Sequence, residues 1–176
     1  MAVCLVAVTA LVAAGCKSSQ QQRIEATRPV FQMRLALDNP SADSEQMTLI
    51  TKSQDDTFTN VLNVQKTVLL DQTALQSAKS STDASGQAVI EIKFTRDGAK
   101  RFAEVTRENI HKRLAIIIDG QLYEAPVIQT EILGGEGQLS GSFSKEEARE
   151  LAAKINESLP IRNKMKSVKS HDGPLR

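Results

Sequence analysis

Residues 87–94 read Gln-Ala-Val-Ile-Glu-Ile-Lys-Phe, an alternation that puts Ala88, Ile90, Ile92 and Phe94 on one side of an extended chain. A period of two residues fits a strand with one buried face; a helix repeats its apolar positions every three or four residues. The period changes directly afterwards. Ala99, Phe102, Ala103, Thr106 and Ile110 recur at helical spacing, and Thr95 stands where a hydroxyl can accept from the free amides of a first turn. A helix is therefore expected from Thr95 to about Lys112, with Gly98 weakening its first turn. A strand that runs straight into an amphipathic helix requires a sheet with helices packed on it.

The stretch Leu-Ala-Ile-Ile-Ile-Asp-Gly-Gln-Leu-Tyr-Glu-Ala-Pro-Val-Ile, 114–128, reads as a hairpin, because Asp119-Gly120 tolerates the positive φ angles of a tight two-residue turn. Pro126 cannot donate to a ladder, so the second arm is an edge strand or bends there. Gly134-Gly135-Glu136-Gly137 makes a turn and Gln138 to Gly141 a short strand. Ser144-Lys-Glu-Glu147 is a capping box that opens a second helix with Ala148, Leu151, Ala152 and Ile155 inward, and Pro160 closes it. Upstream, Phe31, Met33, Leu35 and Leu37 alternate as a half-buried strand that ends at Asn39-Pro40. Residues 41–60 are polar apart from Met47 to Ile50, which suits a strand or a covered loop. Val61 to Val64 and Thr67 to Leu70 favour extended structure, and Asp71 is placed to cap a short helix over Asp-Gln-Thr-Ala-Leu-Gln-Ser-Ala-Lys-Ser with Leu75 and Ala78 inward. The expected fold is α+β: a mixed, largely antiparallel sheet with two main helices packed on one face, ferredoxin-like in character.

The N-terminus follows other rules. Val3 to Ala14 carries no charge and is too short to span a bilayer, which takes roughly 20 residues, but it suits the centre of a secretory signal. It closes on Ala13-Ala14-Gly15-Cys16. This resembles the lipobox of bacterial lipoproteins, with Ala13 where Leu is usual, and the resemblance implies a lipid on Cys16. A plainly cleaved signal or a buried apolar strand are the alternatives. Cys4 lies within the signal, so the body has no cysteine for a disulfide. Lys17 is not the Asp that commonly retains lipoproteins at an inner membrane, which favours the outer membrane if the host has two. The expected location is the bacterial cell envelope, lipid-anchored and facing away from the cytoplasm. Residues 1–15 are then a signal peptide, 16–28 a polar tether, 29–60 a strand with a variable polar segment, 61–160 the folded head and 161–176 a basic flexible tail.

Basic and acidic residues number 22 and 21, which disfavours a nucleic-acid partner, and with no Trp and one Tyr there is no stacking platform for single strands. Catalytic and metal chemistry find little support. His111 and His171 sit in no metal-ligand spacing, and Glu146, Glu147 and Glu150 stand on the first turns of a helix, where acids favour the dipole. Gly-Gly-Glu-Gly precedes a strand and lacks the register of a dinucleotide loop. Ser140, Ser142 and Ser144 have no nucleophile-elbow surroundings and no histidine base. No catalytic residue, cofactor or metal is expected.

Four segments together carry a family resemblance: Val-Leu-Leu-Asp-Gln-Thr-Ala-Leu-Gln-Ser-Ala from Val68, the strand and helix from Ala88 to Thr106, the hairpin 114–128, and the run from Ile132 to Pro160. In that order they resemble the head of the first periplasmic domain of SecD and SecDF, export-assisting membrane subunits of the bacterial Sec translocon. The resemblance implies a domain that touches unfolded preprotein outside the cytoplasmic membrane. The family continues into transmembrane helices after its Leu-Pro, whereas this sequence stops shortly after Leu159-Pro160. A detached, non-catalytic head is thus expected, with unfolded or translocating polypeptide or a Sec-associated envelope protein as partner. The alternative is a scaffold lipoprotein holding a folded envelope partner. An exposed sheet edge can take up an extended peptide, so the hairpin residues Asp119, Gly120, Tyr123 and Pro126 are the candidate contacts.

Overall fold

The structure is a computed structural model in which residues 29–52 and 57–160 are described. The signal segment, Cys16, the tether and the basic tail with His171 lie outside the described residues. The strands are β1 (Phe31–Leu37), β2 (Ser44–Lys52), β3 (Thr57–Gln65), β4 (Leu70–Asp71), β5 (Leu75–Thr82), β6 (Ala88–Phe94), β7 (Arg113–Ile118), β8 (Gln121–Glu124) and β9 (Glu136–Phe143). The helices are α1 (Arg96–Glu108) and α2 (Lys145–Ser158). The fold is α+β, and its strands form two sheets: one in the order β2-β3-β1-β7-β8 with β4 also on β1, the other β5-β6-β9. All the registered pairs are antiparallel.

The main core lies between the sheets. Phe31, Met33, Leu114, Ile116 and Ile118 of the first sheet meet Ile90, Ile92 and Phe94 of the second, and both helices add to it through Phe102, Val105, Leu151 and Ile155. The ring of Phe94 stacks on Phe102 at 4.6 Å. The other face of the first sheet carries a second, smaller cluster of Ala36, Val64, Ala115, Ile117 and Leu122, covered in part by Met47, Leu49 and Leu62 of the β2–β3 hairpin. The unbroken run 114–118 follows from this arrangement, because a strand buried on both faces has no polar side to show. Met47 to Ile50 is a strand, and β2 curls back from one end of the sheet to lie against β8 at the other.

The sequence expectation fails in two places. The helix expected from Asp71 is a single 3-10 turn, Gln72–Ala74, followed by strand β5. Asp71 does cap that turn, accepting from the Thr73 amide. Leu75 and Ala78 do face inward, but their helix-like spacing comes from a β-bulge: Leu75 pairs with Phe94 and Ser77 with Lys93, which leaves Gln76 as the extra residue. The second failure is the end of α1, which stops at Glu108 instead of running to about Lys112. His111 takes a φ of 68° and its amide donates to the Ile128 carbonyl, so the chain leaves the helix to pair with a distant loop. Ile110 is consequently exposed.

Three local expectations hold in detail. Thr95 caps α1 by accepting from the Gly98 amide, and the capping box of Ser144 and Glu147 opens α2. Asp119 and Gly120 have φ of 51° and 79°, as a two-residue hairpin turn of this kind requires.

Candidate functional site

The site forms where the β7–β8 hairpin loses its regularity. Beyond the turn, Ile118 pairs with Gln121 and Ile117 with Leu122, but Ile116 pairs with Glu124, so Tyr123 is the extra residue of a bulge. Ala125 and Pro126 then leave the strand, and the chain is held by Leu114 N–H donating to the Pro126 carbonyl at 2.8 Å and Ile128 N–H to that of Lys112 at 2.9 Å. From there the loop to Gly135 crosses over α1, where the buried Thr106 hydroxyl accepts from the Ile132 amide at 3.0 Å. Arg107 reaches Glu131 at 3.6 Å on the outside.

Beneath this loop is an apolar cleft of about 300 Å³ at the junction of the two sheets, lined by Met33, Phe94, Phe102, Leu114, Ile128 and Leu139 among others. Its acidic groups are Glu124 and Glu136, and Val127 and Ile132 stand partly exposed at its margin. A smaller groove of about 230 Å³ lies alongside, between Leu49, Ile50 and Thr51 of β2, residues 123–126, and Ser140, Gly141 and Ser142 of β9. Glu124 and Pro126 line both cavities.

Glu124 joins the edge of one sheet to the edge of the other. Its Oε1 accepts from the Ser140 amide at 3.0 Å and from the Ser140 hydroxyl at 2.9 Å. Burial pushes its carboxyl above the ordinary glutamate range, and the two hydrogen bonds from Ser140 only partly oppose this. The Tyr123 ring lies 5.6 Å from that of Phe143, and burial raises its phenol, with the Lys154 cation working the other way.

Of the four hairpin residues singled out from the sequence, Tyr123 and Pro126 are on this site and Asp119 and Gly120 are not. Asp119 lies at the opposite end of β8, where Lys154 of α2 binds it at 3.0 Å and has its own pKa raised by that bond. Sequence reasoning missed Glu124, Ser140 and the cleft-lining loop residues. A readable clue was the apolar character of Val127, Ile128, Ile132 and Leu133 in a stretch with no strand or helix period.

Other polar clusters are accounted for by structure. Ser144 and Glu147 form the cap, Glu146 faces Arg149 at 3.6 Å, and His111 sits exposed at the departure from α1. Among the described residues there is no group of acidic, histidine or cysteine side chains arranged for a metal, and no helix long and apolar enough to cross a membrane.

Two helices on a small antiparallel sheet, with a second sheet behind, is an architecture already seen in export membrane proteins. A solved structure of a membrane component SecDF that enhances protein export matches with a TM-score of 0.56 at 30% identity, over 77% of this chain and 66% of that one. SecDF in a super-membrane-facing form matches with a TM-score of 0.58 at 30% identity, over 78% of this chain and 20% of that one. The family model described as SecDF, P1 head subdomain, matches residues 46–161, and the chain belongs to that family. Among full-length relatives, the protein translocase subunit SecDF of Thermus thermophilus is 43% identical over 103 residues, 58% of this chain. SecD of Sebaldella termitidis is 41% identical over 108 residues, 61% of this chain. The chain spans 14% and 27% of the length of these two relatives.

Proposed function

We propose that the protein is a non-catalytic lipoprotein of the bacterial envelope whose head domain binds unfolded or translocating polypeptide as an accessory to protein export. The observation that carries this reading is the apolar cleft under residues 125–135, which lies beside an edge strand in a domain of the SecDF head family. An unfolded chain exposes apolar side chains and unpaired backbone groups together. A cleft of Leu, Ile, Met and Phe next to a strand at a sheet edge serves both needs. The anchor belongs to the same reading: a lipid on Cys16 would hold the head at a membrane surface outside the cytoplasm, the outer membrane being favoured where there are two.

The test is photocrosslinking in living cells from probes at Tyr123 and Pro126, with a probe at exposed Asp97 on α1 as the surface control. Capture of many unfolded envelope proteins above the control is the expected result, and none above it would overturn the reading. Capture of one folded protein in fixed ratio would instead support a scaffold. Cys16→Ala should release the mature protein into the soluble fraction, and unchanged membrane association would refute the anchor.

A further inference from the structure

The two outer strands of the β5-β6-β9 sheet are closed in different ways. On β5, the Asn156 side chain of α2 accepts from the Ala78 amide at 2.9 Å and donates to the Ala78 carbonyl at 2.7 Å. One amide group thus occupies both backbone groups, as a paired strand would, and a helix packed on that edge holds it in place. On β9 the closure is by Glu124, which occupies an N–H but offers nothing to a carbonyl. The strand is also irregular there. Leu139 pairs with Ile90 and Phe143 with Ala88, so residues 140–142 bulge from the ladder toward β8 and the tip of β2.

We propose that Glu124 is an exchangeable acceptor: an extended polypeptide segment seated in the apolar cleft takes the Ser140 amide with one of its own backbone carbonyls, the carboxylate withdraws to solvent, and the cleft and the neighbouring groove become one furrow. This rests on the reading of the cleft as a polypeptide site. Three observations support it. Glu124 stands in the wall common to both cavities, so its departure is what would join them. A peptide carbonyl has the acceptor chemistry that Ser140 N–H already uses, the Ser140 hydroxyl that is released turns to water, and a half-buried charge returns to solvent. Finally, among the described residues no ion pair holds the Glu124 carboxylate in place, and its proton affinity answers to burial and to Ser140.

The measurement is fluorescence anisotropy with a labelled, end-capped unstructured peptide of about twelve residues bearing Leu at alternate positions, added to the full chain and to Glu124→Ala and Glu124→Gln. Backbone NMR of the Ser140 amide accompanies it, and thermal melts establish that each variant is folded. Removing the competitor should tighten binding by roughly threefold to tenfold in Glu124→Ala, the worth of one net hydrogen bond, with Glu124→Gln between Ala and wild type. The Ser140 amide should stay protected in every complex. Binding by wild type that is equal or weaker in folded Glu124→Ala, or a Ser140 amide exposed in the complex, overturns the exchange and leaves the cleft reading standing. No peptide binding by wild type or either variant overturns the cleft reading, and the exchange with it.

Discussion

An ideal Cβ built on Gly98 would lie 2.0 Å from the Ala74 carbonyl oxygen, far inside any real contact. That carbonyl already accepts from the Thr95 amide at 2.9 Å, so the first turn of α1 is clamped onto the turn before β5 and neither backbone can yield cheaply. Ala is ordinarily the better helix former by about 1 kcal/mol, yet Gly98→Ala should destabilise the fold by about 2 kcal/mol or more, because overpacking against backbone outweighs propensity. Urea unfolding checks the sign, and a stabilised variant would contradict the close approach. Glu124 makes the residue-level prediction for pH. Its folded carboxyl binds protons more tightly than in the unfolded chain, so between the ordinary glutamate value and the raised folded one the native state holds more protons. The stability this group contributes is therefore complete at low pH and is lost as pH rises through that window. Relative to wild type, Glu124→Gln should gain stability as pH rises through the range above the ordinary glutamate value of about 4.5. A difference that stays constant across that range would remove the shift.

The elements differ in how far they depend on distant partners, and this decided what the sequence could reveal. Strand β6, the buried stripe of α2, the Asp119-Gly120 turn and both helix caps are each set by residues within a few positions of one another, and all were legible. Their energetics should be local too: Ser144→Ala is expected to cost about 1 kcal/mol in thermal or urea unfolding, the usual worth of an N-cap, and a loss near zero would show the box to be redundant. Strand β5 was misread because its bulge mimics helical spacing, and the end of α1 because its competitor, Ile128, lies far along the chain. The candidate site was only half legible for the same reason. Tyr123 and Pro126 stand out beside a turn and a bend, whereas Glu124 meets Ser140 across two sheets with nothing periodic to link them. Asn156 is another such tie. Asn156→Leu should strip both bonds from Ala78 and open the β5 edge, so sedimentation should show concentration-dependent self-association beyond that of wild type. A variant that self-associates no more than wild type would mean that helix α2 alone covers the edge.

The molecule as a whole has a strong centre and a weaker back. The core between the sheets gathers large side chains from strands and both helices, but the cluster behind the first sheet has Ala36, Ala115, Val64, Ile117 and Leu122 and relies on half-buried Met47, Leu49 and Leu62 to cover it. The β2–β3 hairpin that carries this cover turns Ile50, Phe58 and Val61 to solvent, with Phe58 61% exposed. An element with few buried apolar contacts opens at a lower free energy than the core strands. Amides of residues 57–63 should accordingly exchange well before those of Leu114 to Ile118, without global unfolding. Ile117 is a large side chain of the rear cluster and is only 1% exposed. Truncating it to Ala should cost about 2–4 kcal/mol globally, and it should also speed exchange in the hairpin more than in β6. Hydrogen exchange followed residue by residue separates the possibilities. If the hairpin amides exchange only with the slowest set, in wild type and in Ile117→Ala alike, the two clusters melt as one unit and the smaller groove between β2, Tyr123 and β9 is as rigid as the core.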